Sequence, residues 1–231
     1  MPGMHHHAEI LGAICDLCRG AVRLNADVNG GNVLEVGSNR ILRVGDNVRV
    51  EDDQQAGEMQ TVAGLSGRTQ VVLEGDLSGS YAVDSGARVV LVSEAVPELA
   101  WVGRGKPELA PQPTGVGFPC VVVAPTRLEQ PMSGGTNRSY SQEYHSSVYY
   151  VRRDHEGEEA ETLLLEEVGR LFSLLMRDPY LAGTCWYSQV VGVDYEPHEQ
   201  AALDERMAGL RVVRLDLVGL RAQEPAADAV G

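Results

Sequence analysis

The sequence predicts an α+β fold: an antiparallel or mixed sheet flanked by helices, with a small SH3-like or OB-like β-barrel inserted into it. Strand-type and helix-type patterns alternate between Val148 and Arg221, which predicts the sheet and its main helix. Short β-type segments separated by glycines occupy 32–95, which predicts the barrel. A proline-rich segment, 96–118, lies between the two and predicts a linker arm.

The composition of the 231-residue chain excludes some classes of protein. With 43% hydrophobic residues the chain can form a real core. Its formal net charge of −14 argues against wrapping of nucleic acid, because phosphate binding requires clustered Lys and Arg. An acidic surface serves solubility, or it lines a passage through which DNA slides without sticking.

We expect neither a membrane span nor a secretion signal. No apolar run approaches the roughly 18 residues that a span requires, and Met1–His7 lacks a basic start followed by an apolar run. The sparse cysteines are typical of synthesis in a reducing, intracellular compartment.

The N-terminal region, 1–31, is expected to hold one amphipathic helix, Ala8–Leu24, that packs with the C-terminal domain. Cys15 and Cys18 have the spacing of a zinc knuckle or a redox pair, and His5–His7 could add ligands. Because no second CxxC or CxxH follows at a suitable distance, two small buried cysteines are the simpler interpretation. We predict no metal and no cofactor.

The predicted barrel lacks the features of a nucleic-acid-binding module. Tyr81 is its only aromatic residue, and Glu51-Asp52-Asp53 forms an acidic loop. Barrels that bind single strands interleave aromatic with basic residues. The pattern therefore favours a protein–protein module.

Prolines between Pro97 and Pro119 are expected to prevent regular structure in the linker arm. Trp101 stands alone in this segment. It is a candidate anchor on a partner, and packing back onto its own domain is the alternative.

The segment 119–221 predicts the α+β domain itself. A buried strand, Cys120–Ala124, is expected to end at Pro125. A polar loop, Thr126–Glu143, follows and contains Met132. The next strand is expected at Tyr144–Arg153.

The helix predicted at Glu158–Met176 is marked by acidic residues at its start and by Asp178-Pro179 after its end. Its core stripe is Leu164, Val168, Leu171 and Leu175. The flanking apolar residues predict packing on more than one side: Leu163, Leu165, Phe172, Leu174 and Met176. Strands at Cys185–Tyr195 and Leu210–Leu220 complete the domain, and 222–231 is expected to be a flexible tail.

The sequence contains no recognisable catalytic motif of the GxSxG, HExxH or Walker type. Ser146 and Ser147 follow His145, but adjacent strand residues point to opposite faces. Two predicted loops each place a histidine beside a glutamate, His155-Glu156 and His198-Glu199. Such pairs could bind a divalent metal, but charged residues exposed to solvent explain them better. We therefore expect a protein that is not an enzyme and has no catalytic residues.

The order of these elements resembles the tail terminator proteins of long-tailed bacteriophages. The resemblance covers Met4–Leu24 and Gly117–Arg221 and includes Leu181 and Gly183, which precede the next strand as in that family. The inserted barrel is a departure from compact family members. Small β domains of this kind also resemble those of head-completion and adaptor proteins of the phage neck.

The resemblance implies a structural virion protein, assembled in the host cytoplasm, that forms a ring of usually six subunits. Such a ring caps the tail tube protein and meets the head-completion or connector protein, while DNA passes through without specific binding. Candidate interface residues are Trp101, Met132, Tyr140 and Tyr144. Candidate lumen-facing acids are Glu156, Glu158, Glu159 and Asp204. The alternative is an intracellular α+β scaffold or adaptor whose barrel binds a peptide.

Overall fold

The computed structural model describes residues 2–55, 57–105, 117–129, 140–153, 158–195 and 210–223. These residues form two α-helices and eleven strands, so the broadly α+β fold predicted from the sequence is confirmed. The helices are α1 (Pro2–Cys18) and α2 (Glu158–Arg177). The strands are β1 (Ala21–Arg23), β2 (Val28–Glu35), β3 (Asn47–Glu51), β4 (Glu58–Ser66), β5 (Gln70–Tyr81), β6 (Arg88–Leu91), β7 (Trp101–Arg104), β8 (Cys120–Glu129), β9 (Tyr140–Arg153), β10 (Tyr187–Asp194) and β11 (Leu210–Gln223).

The first six strands form one antiparallel sheet with the order β1-β6-β3-β4-β5-β2. The sheet curls, because an isolated bridge between Leu24 and Val36 brings its two edge strands together. We call this unit the partial barrel. Alternate side chains of its strands point inward, as in β3, where Val48 and Val50 are buried. The unit starts at Ala21, before the expected boundary at residue 32, since α1 ends at Cys18 and not at Leu24.

The remaining five strands form a mixed sheet with the order β10-β11-β9-β8-β7. Strand β7 runs parallel to β8, and the other pairs are antiparallel. The expectation that 96–118 lacks regular structure was wrong for Trp101–Arg104, which pair with Cys120–Val123. These four residues contain no proline, so every backbone N–H remains available to the ladder.

Strand β8 continues through Pro125 to Glu129, whereas the sequence predicted that it would end at Pro125. The register with β9 shifts between Pro125 and Arg127, which marks a bulge. A bulge accommodates a residue without an N–H donor, so the strand can resume beyond it. Arg127, Leu128 and Glu129 thereby pair with β9.

Helix α1 contacts β1, the strands β7 and β8, and α2, so it lies between the partial barrel and the mixed sheet. One continuous core runs from the partial barrel through α1 to the mixed sheet and α2. The predicted core stripe of α2 is confirmed, with Leu164, Val168, Leu171 and Leu175 all buried. Among the described residues, neither helix is both long enough and apolar enough to cross a bilayer.

Candidate functional site

Helix α2 carries a second apolar stripe beside its buried one. Leu165, Gly169, Phe172 and Met176 are spaced four, three and four residues apart, which places them on one face of the helix. The side chains of Leu165, Phe172 and Met176 are 49%, 37% and 40% exposed. The prediction that the flanking apolar residues pack on more than one side of the helix is confirmed for Leu174, which is buried. It is wrong within the described chain for the exposed Leu163, Leu165, Phe172 and Met176.

Gly169 lies in the middle of this stripe. A Cβ placed on it would meet no atom within 4 Å, so nothing in the fold of the described chain requires glycine there. Glycine in a helix interior is less favourable than alanine by about 1 kcal/mol. A small residue at such a position permits another backbone to approach closely.

Strand β10 lies beside the C-terminal end of this stripe. The backbone N–H of Val190 donates to Sδ of Met176 at 3.5 Å, which joins the strand to the end of the stripe. Exposed apolar side chains on and around β10 are Trp186, Tyr187, Val191 and Tyr195. We call the stripe and these residues the α2/β10 surface.

Strand β10 is also an edge of the mixed sheet, since it pairs only with β11 within the part of the chain that the structure describes. Along the outer side of β10 the backbone N–H groups of Ser188 and Val190 already donate within the chain, to the carbonyl of Pro179 at 2.6 Å and to Sδ of Met176. The part of the edge after Val190 is the part that presents backbone groups to a neighbouring chain. Exposed apolar area beside an open edge is typical of a protein–protein contact.

A second, polar cluster lies on the mixed sheet where β8 and β9 approach the connection between them. It consists of Glu129, Glu143 and His145, whose potential ligand atoms all lie within 4.8 Å of one another. His145 Nε2 is 3.6 Å from a carboxylate oxygen of Glu143 and 4.0 Å from one of Glu129. Arg127 Nε contacts Glu129 at 2.5 Å.

The serines next to His145 have different partners on opposite faces of β9. Ser146 is buried and lies 3.3 Å from Nε2 of His7 on α1. Ser147 donates to Oδ1 of Asp216 at 2.6 Å and lies 3.0 Å from the hydroxyl of Thr126. Both hydroxyls thus belong to contacts within the fold.

Trp101 packs back onto its own domain. Its indole ring lies directly over Gly103, so closely that a Cβ added to this glycine would be 2.0 Å from the ring. The ring also packs against a buried cluster that includes Cys120 and Val122. It also lines a pocket of about 320 Å³ together with Arg19, Arg49 and Arg88. Of the two alternatives for Trp101, the structure favours the internal one.

Tyr144 was predicted at an interface, and the structure places it inside the protein at 1% exposure. Its ring packs edge-on against His7 at a centroid distance of 5.3 Å, and its hydroxyl donates to Gln142. The prediction failed because the aromatic side chain points toward α1, which covers this face of β9.

The other predicted interface and lumen residues are not tested by the structure. Met132, Glu156 and Asp204 lie outside the described residues. Tyr140 begins β9 and pairs with Gln223, while Glu158 and Glu159 begin α2, and only their backbones are described.

Cys15 and Cys18 are both buried, as the simpler interpretation of their spacing predicts. Both lie on the buried side of α1, and burial raises the pKa of both thiols, so the metal-binding thiolate is disfavoured. Among the described residues no third cysteine, histidine or carboxylate is close enough to complete a site with them.

The sequence reasoning missed both the outer stripe of α2 and the polar cluster. The exposed stripe of α2 has the same residue spacing as its buried stripe. The tertiary packing alone therefore shows which of the two stripes faces outward. The cluster depends on β8 continuing beyond Pro125, because that continuation places Glu129 opposite Glu143.

No family model matches the chain, and no curated protein matches it.

Proposed function

We propose that this chain is a structural virion protein of a long-tailed bacteriophage, a tail terminator whose subunits form a ring. The ring caps the tail tube and joins it to the head connector. The observation that carries the proposal is the α2/β10 surface, an exposed apolar stripe beside a partly open sheet edge. The order of elements that resembles the tail terminator family gives that surface its biological setting.

A ring requires a subunit that keeps its shape while it contacts two neighbours through different surfaces. The mixed sheet supported by α1 and α2 supplies such a body, because its core is continuous and aliphatic. The α2/β10 surface supplies one of the two contacts. We assign the other to a different face of the neighbouring subunit, since head-to-tail contacts close into rings.

The partial barrel is proposed as an SH3-like or OB-like module that contacts a protein in the neck. Its one aromatic residue, Tyr81, is buried, so the described part of the module offers no ring on which a base could stack. The formal charge of −14 on each subunit disfavours phosphate binding, which suits a passage through which DNA moves.

Size-exclusion chromatography with light scattering tests this function. We expect a particle close to six times the subunit mass of 24.9 kDa, alone or with the tail tube protein added. A species that stays monomeric or dimeric in both conditions would favour the alternative, an intracellular scaffold.

Genes for a major tail protein and a tape measure immediately downstream would support the terminator assignment. A head-completion or adaptor role in the same neck is the second candidate, favoured by the inserted partial barrel. It predicts binding to the connector protein in preference to the tube.

A further inference from the structure

Glu129 and Glu143 are directly opposed partners on the antiparallel strands β8 and β9. Like charges in such a position destabilise a strand pair unless a cation lies between them. Arg127 neutralises Glu129 at 2.5 Å. No ion pair with an arginine or lysine is found for Glu143 among the described residues, where its close basic neighbour is His145.

The imidazole of His145 faces both carboxylates. Its Nε2 atom is shielded from solvent and has no hydrogen-bond partner in the described structure. A buried polar atom without a partner is uncommon in folded proteins and indicates a group that would satisfy it. Here two negatively charged oxygens lie 3.6 Å and 4.0 Å from that nitrogen.

We propose that Glu129, Glu143 and His145 bind a divalent transition-metal ion, for which Zn²⁺ is the probe. Ligands at the usual 2.0–2.2 Å from tetrahedral zinc are about 3.4 Å apart, close to the separations seen here. One imidazole and two carboxylates suit Zn²⁺ better than Mg²⁺, which prefers oxygen ligands and water. The ion would hold the ends of β8 and β9 together and remove the repulsion between the two glutamates.

The test measures zinc bound per chain after equilibrium dialysis, for the full chain and two isosteric variants. Glu143→Gln removes a proposed ligand. Glu9→Gln is the matched control, because Glu9 is also a carboxylate beside a histidine, His6, at 3.4 Å. Comparing the two variants separates this site from zinc bound by the N-terminal histidines.

We expect Glu143→Gln to bind one zinc fewer than the wild type, or to bind that zinc at least about tenfold more weakly. Glu9→Gln should retain it. Saturating Zn²⁺, at about 100 times its dissociation constant, should raise the Tm of the wild type by about 5 °C, while equal Mg²⁺ should not. Circular dichroism of the metal-free variants establishes that both are folded.

Equal zinc content and affinity in wild type and Glu143→Gln would overturn the proposal. So would loss of the same zinc in both variants, or a wild type that binds none.

Discussion

The guanidinium of Arg40 lies over the ring of Tyr180, with 4.6 Å between its Cζ and the ring centroid. Arg68 approaches the same ring at 5.2 Å. Arg40 and Arg68 belong to the 21–91 segment that forms the partial barrel, while Tyr180 follows α2. The aromatic ring therefore joins the partial barrel to the α+β domain.

Replacing Tyr180 by leucine should lower the free energy of unfolding by about 1–2 kcal/mol, because both cation–π contacts are lost. Urea denaturation measures the change. Tyr187→Leu, compared in dilute solution where the subunits are not assembled, is the control, since Tyr187 is an exposed tyrosine on β10. Equal losses in the two variants would contradict a specific role for the arginine contacts.

Asp178 organises the turn that presents Tyr180. Its fully buried carboxylate accepts the backbone N–H groups of Tyr180 at 3.1 Å and Ala182 at 2.8 Å. Leu181 and Ala182 have φ angles of 44° and 55°, a left-handed conformation that side chains other than glycine rarely adopt. Asp178→Ala should destabilise the protein by about 2–4 kcal/mol, as buried donors lose their acceptor. Asp178→Asn, which keeps one acceptor oxygen, should lose less, and an equal loss would argue against this account.

Glu58 makes the stability of the partial barrel depend on pH. The backbone N–H groups of Ser78 and Gly79 and the hydroxyl of Tyr81 donate to its carboxylate, and they lower its pKa from 4.5 to about 2. Because the pKa is lower in the folded state, the stabilisation is present above pH 4.5 and is lost as the pH falls toward 2. Thermal unfolding between pH 6 and pH 2 should show a smaller decline in Tm for Glu58→Gln than for the wild type. Parallel curves would contradict the assignment.

Gly169→Ala separates the stability of the subunit from its assembly. If no other chain packs on this face of α2, the substitution should raise the free energy of unfolding by about 1 kcal/mol, because alanine is the better helix former. If a neighbouring backbone packs on Gly169, the added methyl group should weaken the oligomer at the same time. Unfolding of dilute subunits and light scattering of concentrated ones measure the two effects. A variant that is more stable and assembles normally would exclude close packing at this position.

The sequence predicts much of this fold because periodicity is local. The core stripe of α2 and the final strand follow from the spacing of their apolar residues, and both are confirmed. The failures have non-local causes. Proline lacks a backbone N–H and so predicts the end of a strand at Pro125, but a bulge allows β8 to continue beyond it. Trp101–Arg104 form a strand because Cys120–Val123 lie alongside and pair with them. The two stripes of α2 have the same spacing, so only tertiary packing distinguishes the buried one from the exposed one.

The most direct test of the account is native mass spectrometry of the wild type beside Phe172→Glu. Phe172 is at the centre of the exposed stripe and 37% exposed, so the charge should leave the subunit folded while it disrupts an apolar contact. We predict a closed ring, with six subunits expected, for the wild type and a folded monomer for the variant. A wild type that never exceeds a dimer, even with tail tube protein present, or a variant that forms the same ring, would contradict the central claim.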